Sequence, residues 1–251
     1  MSFYGLFRKE LRAYFVSPLF YTVAAVFFCL TGFFFYTQLV FFVEYGFGQN
    51  ILGNFWVAFI AGAPYSVSMV LLLVMPLLTM RLFAEEWKLG TIELLLTVPL
   101  RDGTLIAAKY AACMVILLLL LAGTLVYPVA LSFLQPLPWL PILGAYGGLV
   151  LLGLSFGACG MFISALTENQ VVAALATVGL LLLCWVLTWN QAAASPGVLR
   201  VLGVLSMFDH FEGFARGVID AGDVTYFSGF VAFFIFLTLR VIESRAWRGR
   251  R

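Results

Sequence analysis

Long apolar stretches, parted by short polar clusters, set the plan of this chain. A helix that crosses the hydrocarbon core of a bilayer needs about 20 mainly apolar residues. Charge-free stretches of that kind occur at roughly 18–43, 60–81, 110–133, 142–165, 170–190 and 223–242. The third and fourth come from one uncharged region, 110–167, which is too long for a single crossing. It is split by "QPLPWLP" at 135–141, where closely spaced prolines favour a turn. The fifth stretch ends at "NQAAASPG". The pattern predicts an all-α polytopic membrane protein with six transmembrane helices.

Two further segments carry a helical pattern of another kind. Residues 2–15, "SFYGLFRKELRAYF", place Phe3, Phe7, Leu11, Tyr14 and Phe15 on one face and Arg8, Lys9 and Arg12 on another. This predicts an amphipathic N-terminal interfacial helix that stops before Pro18. A simple basic flank to the first span would carry the same charges. Residues 196–222 are half apolar, too polar to span and too greasy to float. Leu202, Leu205, Phe208, Phe211 and Phe214 recur about every three positions, the spacing of one helical face. The segment reads as a pair of membrane-dipping outer helices before the last span, where irregular backbone must be covered by protein.

Composition agrees with the pattern. Of 251 residues, 63% are hydrophobic and only 10% charged, with a mean hydropathy of +1.06. A soluble domain carries about 25% charged residues. The chain therefore reads as one membrane domain over 1–251 with no long soluble head. A net charge of +2 gives no reason to expect nucleic acid. The four cysteines sit inside apolar runs with no CxxC, as small buried hydrophobes do.

Charge sets the expected orientation. Of the 14 basic residues, only Arg200 and Arg216 fall on the side opposite the rest. Cytoplasmic loops carry the excess of Lys and Arg, and six spans return both termini to one side. Both ends are expected inside. No Asp, Glu, Lys, Arg or His lies at mid-depth in a span, which argues against an ion-coupled carrier or an intramembrane protease. His210 is the only histidine. Asp209, His210 and Glu212 would make at best a weak outer metal site. Glu212 and Arg216 have the i, i+4 spacing of an ordinary helix pair, and Asp223 is expected to cap the sixth span. No catalytic, cofactor-binding or metal-ligating residue is expected.

Between the second and third spans the charges crowd. The loop 82–109 opens with "FAEEWK", a helix continuing out of the second span. Gly90 suits its C-terminus, and Thr91 can cap a new start. "IELLL" then gives a short helix with Glu93 beside Leu94, Leu95 and Leu96, which Pro99 stops. A new helix runs through Lys109 into the third span. Clustered exposed leucines indicate a contact: lipid headgroups, the protein's own helix ends, or a cytoplasmic partner.

This stretch resembles the first cytoplasmic loop of ABC type-2 exporter permeases, especially the gliding-motility type. The family pattern is approximately R-x-F-A-E-E-x-x-x-G-T-x-E-x-L-L-x-x-P, followed by a lysine. Arg81, Phe83, Ala84, Glu85, Glu86, Gly90, Thr91, Glu93, Leu95, Leu96, Pro99 and Lys109 fit it. "HFEGFARGVIDAGDVTYF" resembles the family's outer segment through His210, Phe211, Gly217, Asp220, Asp223 and Tyr226, and "ESRAW" at 243–247 its basic tail. Ala108 departs from the glycine often found there, and Trp87 is bulkier than the pattern expects.

The resemblance implies a permease subunit of an ATP-driven exporter in the cell membrane. A separate cytoplasmic ABC ATPase would bind ATP and Mg²⁺, and this chain would bind neither. Independently, the chain has no G-x-x-x-x-G-K-[ST] loop to cradle phosphates. The resemblance makes the loop helix a cytoplasmic coupling helix, with Arg81, Glu85, Glu86, Gly90, Thr91, Glu93, Leu94, Leu95, Leu96 and Pro99 as its working residues. Glu85 and Glu86 would face basic groups of the ATPase or of the interfacial helix. Phe3, Phe7, Arg8, Leu11 and Arg12 would serve that interfacial helix against membrane lipid. His210, Glu212, Arg216 and Asp220 would serve the outer element. Six spans are half of a typical ABC channel, so a second copy or a related permease is expected. Gly144, Gly148, Gly153, Gly157, Gly160 and Ser164 give the fourth span small-residue faces for internal packing or a dimer seam. The alternative is a membrane anchor or assembly subunit of an ATPase-driven complex, without its own substrate path. Uncharged, aromatic-rich spans suit a lipid-like cargo, but lipid contact alone requires the same residues.

Overall fold

The computed structural model describes residues 3–45, 51–62, 66–90, 102–134, 136–186 and 206–248. Among them there is no strand. Helices α1 (Phe3–Val16) and α2 (Pro18–Tyr45) are separated at Ser17. Pro18 opens α2 because the first turn of a helix needs no N–H from its first residue. Next come α3 (Ile51–Ala61), α4 (Val67–Thr79) and α5 (Arg81–Lys88). The chain continues through α6 (Asp102–Thr124), α7 (Val126–Ser132) and α8 (Trp139–Leu166). It closes with α9 (Gln170–Val186), α10 (Met207–Ala215) and α11 (Ala221–Arg248).

Five stretches are long and apolar enough to cross a membrane: Pro18–Glu44, Val67–Lys88, Asp102–Ser132, Trp139–Leu166 and Ala221–Ser244. They match five of the six expected spans. The expected fifth span corresponds to α9, which is apolar but shorter in its described part. The second span starts later than expected. Residues 51–61 form their own helix, α3, whose last turn closes with the Gly62 N–H on the Ala58 carbonyl (2.9 Å). Ser66 then restarts the chain by accepting the Met69 N–H with its hydroxyl. An apolar segment of 11 residues is too short to span, so α3 stays beside α2, α4 and α10.

The bundle is built around α8. In the most apolar stretches of α4–α5 and α8, 72% of residues are buried, against 11% in α2, so α2 lies at the rim. Glycines let neighbours approach α8 at successive levels along its length. A side chain at Gly144 or Gly148 would meet Gly217 or Phe214 at the α10 end. One at Gly153 or Gly157 would meet Leu117 or Met114 of α6, and one at Gly160 would overlap Thr79 of α4. The small-residue faces of the fourth span thus serve internal packing. Van der Waals contact between close backbones is what holds helices together where no hydrophobic effect acts.

Candidate functional site

The charged joint is built at one end of this bundle, where α1, α5, the start of α6 and the end of α8 meet. Its geometry begins with a helix break. α4 contains Pro76, and Met80 separates α4 from α5. The first N–H groups of any helix lack partners within it. Here the N–H groups of Phe83 and Ala84 both donate to Ser164 Oγ (3.1 Å each). Ser164 in turn donates to the Met80 carbonyl (2.8 Å). A residue of α8 therefore caps α5 from across the bundle. The sequence marked Ser164 only as small.

Helix α1 is pinned onto the same joint. Tyr14 donates its hydroxyl to the Leu78 carbonyl (2.9 Å). Burial, and secondarily the Cys113 thiol, push that hydroxyl's pKa well above its ordinary range, so it stays a donor. Arg81 donates to Ser17 Oγ (2.6 Å) and to the Ala13 carbonyl (3.1 Å), with its guanidinium 4.8 Å from the Tyr14 ring centroid. Of the apolar face expected on α1, Phe7 and Leu11 pack on the core, while Phe3 and Phe15 are exposed. Leu6, absent from the expected face, is buried. Arg8 and Arg12 are exposed as expected.

At the centre sits Lys109, 2% exposed. Its ammonium lies 2.8 Å from Glu86 Oε1 of α5 and 3.1 Å from Glu10 Oε1 of α1. It also stands 5.4 Å from the Phe83 ring centroid. A buried charge is tolerated only when paired and hydrogen-bonded, and these two carboxylates supply that. Glu86 thus faces a cation of its own chain. Glu85 is partly exposed and lines a cavity between α1 and α5. Gly90 takes a positive φ of +66°, and its N–H donates to the Trp87 carbonyl, ending α5 as expected. Thr91, Glu93, Leu94, Leu95, Leu96 and Pro99 lie outside the described residues, and so does the expected coupling helix. Glu10 and Ser164 were missed by sequence reasoning. The only available signal for Glu10 was a lone acid within a basic run.

At the other end, α10 presses Met207, Phe211 and Phe214 into the protein. It falls within the element expected over 196–222, whose earlier part lies outside the described residues. Glu212 and Arg216 form the expected exposed pair. His210 bonds Asp223 (2.7 Å) and stacks on Tyr226, with ring centroids 4.1 Å apart. The cap of α11 is Asp220, whose side chain accepts the Gly222 N–H (3.1 Å), not Asp223 as expected. Asp223 reaches His210 instead, from the first turn of the helix. No group of three metal-ligating side chains occurs among the described residues.

Apolar helices long enough to cross a bilayer, with Lys109 and its partners at one end and the α10 polar groups at the other, define a multi-pass membrane protein. The chain belongs to the ABC-2 family transporter proteins, whose family model matches residues 4–242. It is a membrane permease subunit of an ABC transporter, from a family that normally works with an ABC ATPase. No curated protein matches the chain.

Proposed function

We propose that this permease drives export, that it is of the gliding-motility type, and that a separate cytoplasmic ATPase supplies the force. Six spans with both termini inside place the Lys109 joint at the cytoplasmic face. The ATPase holds the coupling helix within loop 82–109, and a second permease completes the path. The observation that supports this reading is the double fastening of α5. Glu86 ties it through Lys109 to Glu10 of α1, and Ser164 ties it to the central helix α8. A push on the loop beyond Gly90 therefore has a short covalent and hydrogen-bonded route into the bundle.

The test uses vesicles containing the permease with its ATPase. Burying a leucine contributes roughly 1.5–3 kcal/mol, so Leu95→Ala should cut co-purification of the ATPase by about 10–100-fold. Glu93→Lys changes no member of the Lys109 triad and should leave insertion normal. Like charges brought together at an interface cost several kcal/mol, so ATP turnover or its link to transport should fall. Wild-type co-purification and turnover in both variants would refute the coupling role. ATP-dependent changes in the complex without flux would favour the anchor reading.

A further inference from the structure

The cavity between α1 and α5 has a volume of about 430 Å³, within the range of about 300–1,000 Å³ typical of small-ligand sites. Its walls carry Lys9, Arg81 and Lys109 against Glu10, Glu85 and Glu86, a balanced set of charges. These charges are not equally available. Lys109 is committed to Glu10 and Glu86, and Arg81 to Ser17 and Ala13. Lys9 and Glu85 form no hydrogen bond or ion pair among the described residues. The site thus offers one cation and one anion outside any direct pair, although the Lys9 charge also acts on Glu86. Its apolar walls include Val16 and Leu89, which are 72% and 66% exposed. Val16 leads onto α2, the least buried of the long apolar helices.

We infer that this cavity binds the headgroup of a zwitterionic phospholipid bearing a primary ammonium, such as phosphatidylethanolamine. The phosphate meets Lys9, the ammonium meets Glu85, and the acyl chains leave past Val16 along α2. The inference rests on the proposed placement of α1 in the membrane interface. A primary ammonium can donate charge-assisted hydrogen bonds to a carboxylate, and a trimethylated one cannot. An anionic headgroup leaves Glu85 without a partner and adds repulsion. A protein side chain fills a charged cleft too, but gives no role to an apolar exit onto a lipid-facing helix.

The experiment uses the full chain in mild detergent without the ATPase. Phosphatidylethanolamine, phosphatidylcholine and phosphatidylglycerol of matched chains are added, and retained lipid is counted by native mass spectrometry. One charge-assisted contact corresponds to about tenfold in affinity. Phosphatidylethanolamine should be retained about tenfold over either competitor. Glu85→Gln should erase that preference and shift it toward phosphatidylglycerol, whereas Lys9→Gln should lower retention of all three lipids. Neither residue belongs to the Lys109 triad, so both variants should fold. Equal retention of all three lipids by the wild type, or wild-type selectivity in both variants, overturns the inference. So does displacement by equimolar soluble phosphoethanolamine, which marks a soluble ligand. One-for-one displacement by added ATPase assigns the cavity to the protein partner and also overturns it. A failure of coupling in vesicles leaves this measurement untouched, since no ATPase takes part in the lipid arms.

Discussion

Lys109 shows how much can depend on one side chain. Two carboxylates from distant parts of the chain depend on its single positive charge, and all three are largely out of water. Lys109→Ala should destabilise the protein by about 3–5 kcal/mol, the cost of leaving buried charge uncompensated. The measurement is the fraction still monodisperse after heating in detergent. The combined Lys109→Met, Glu10→Gln, Glu86→Gln variant removes the whole set of charges and should recover most of the loss. Ser164→Ala is expected to be milder. It removes the acceptor for Phe83 and Ala84 and the donor to Met80, at about 1–3 kcal/mol for buried backbone groups left unpaired. Hydrogen exchange at Phe83 and Ala84 should rise selectively, because the damage is confined to the start of α5. The assembled joint was not legible beforehand. The joint unites positions 10, 86, 109 and 164, and no local pattern links residues so far apart. Sequence reasoning did mark Glu86 and Lys109 as pattern residues. It sent Glu86 toward the ATPase or the interfacial helix, but not toward Lys109.

At the scale of elements, the long apolar helices were easy to read, because length and lack of charge are properties of the segment itself. The ends of α2, α6, α8 and α11 were harder, since helices run past the hydrophobic stretch as long as their turns stay bonded. Helix α3 escaped because it is too short to count as a span, and only its packing makes it an element. The glycines of α8 were legible as a close-packing face but not in their choice of neighbour. They now support a paired prediction. Gly160→Ala must displace Thr79, whose hydroxyl is already bonded to the Met75 carbonyl. Overpacking of that kind costs about 1–3 kcal/mol. Gly147 has nothing within 4 Å of an added methyl group. Gly147→Ala should be neutral or stabilising by up to about 1 kcal/mol, the helix preference for alanine over glycine. Thermal unfolding of the two variants side by side checks the contrast.

For the whole molecule, the expected topology puts Lys88 and Arg216 on opposite sides of the membrane, and the structure places both on exposed surface. In a background without the native cysteines, Arg216→Cys should react with an impermeant thiol reagent added outside intact cells. Lys88→Cys should react only after the membrane is opened. The reverse pattern would turn the protein over. The contacts of α8 have a mechanical corollary. Its glycines are seated against α10 near one end, against α6 along the middle, and against α4 near the other. At 3.6 residues per turn the α10 seats lie roughly opposite the α6 and α4 seats, so the helix resembles a keyed shaft: a small rotation about its own axis would unseat its neighbours on both sides at once. The low-cost movement left to it is to tilt as a rigid lever. Displacing the α4–α5 break at one surface would then swing α10 at the far surface, with no separate transmission between them.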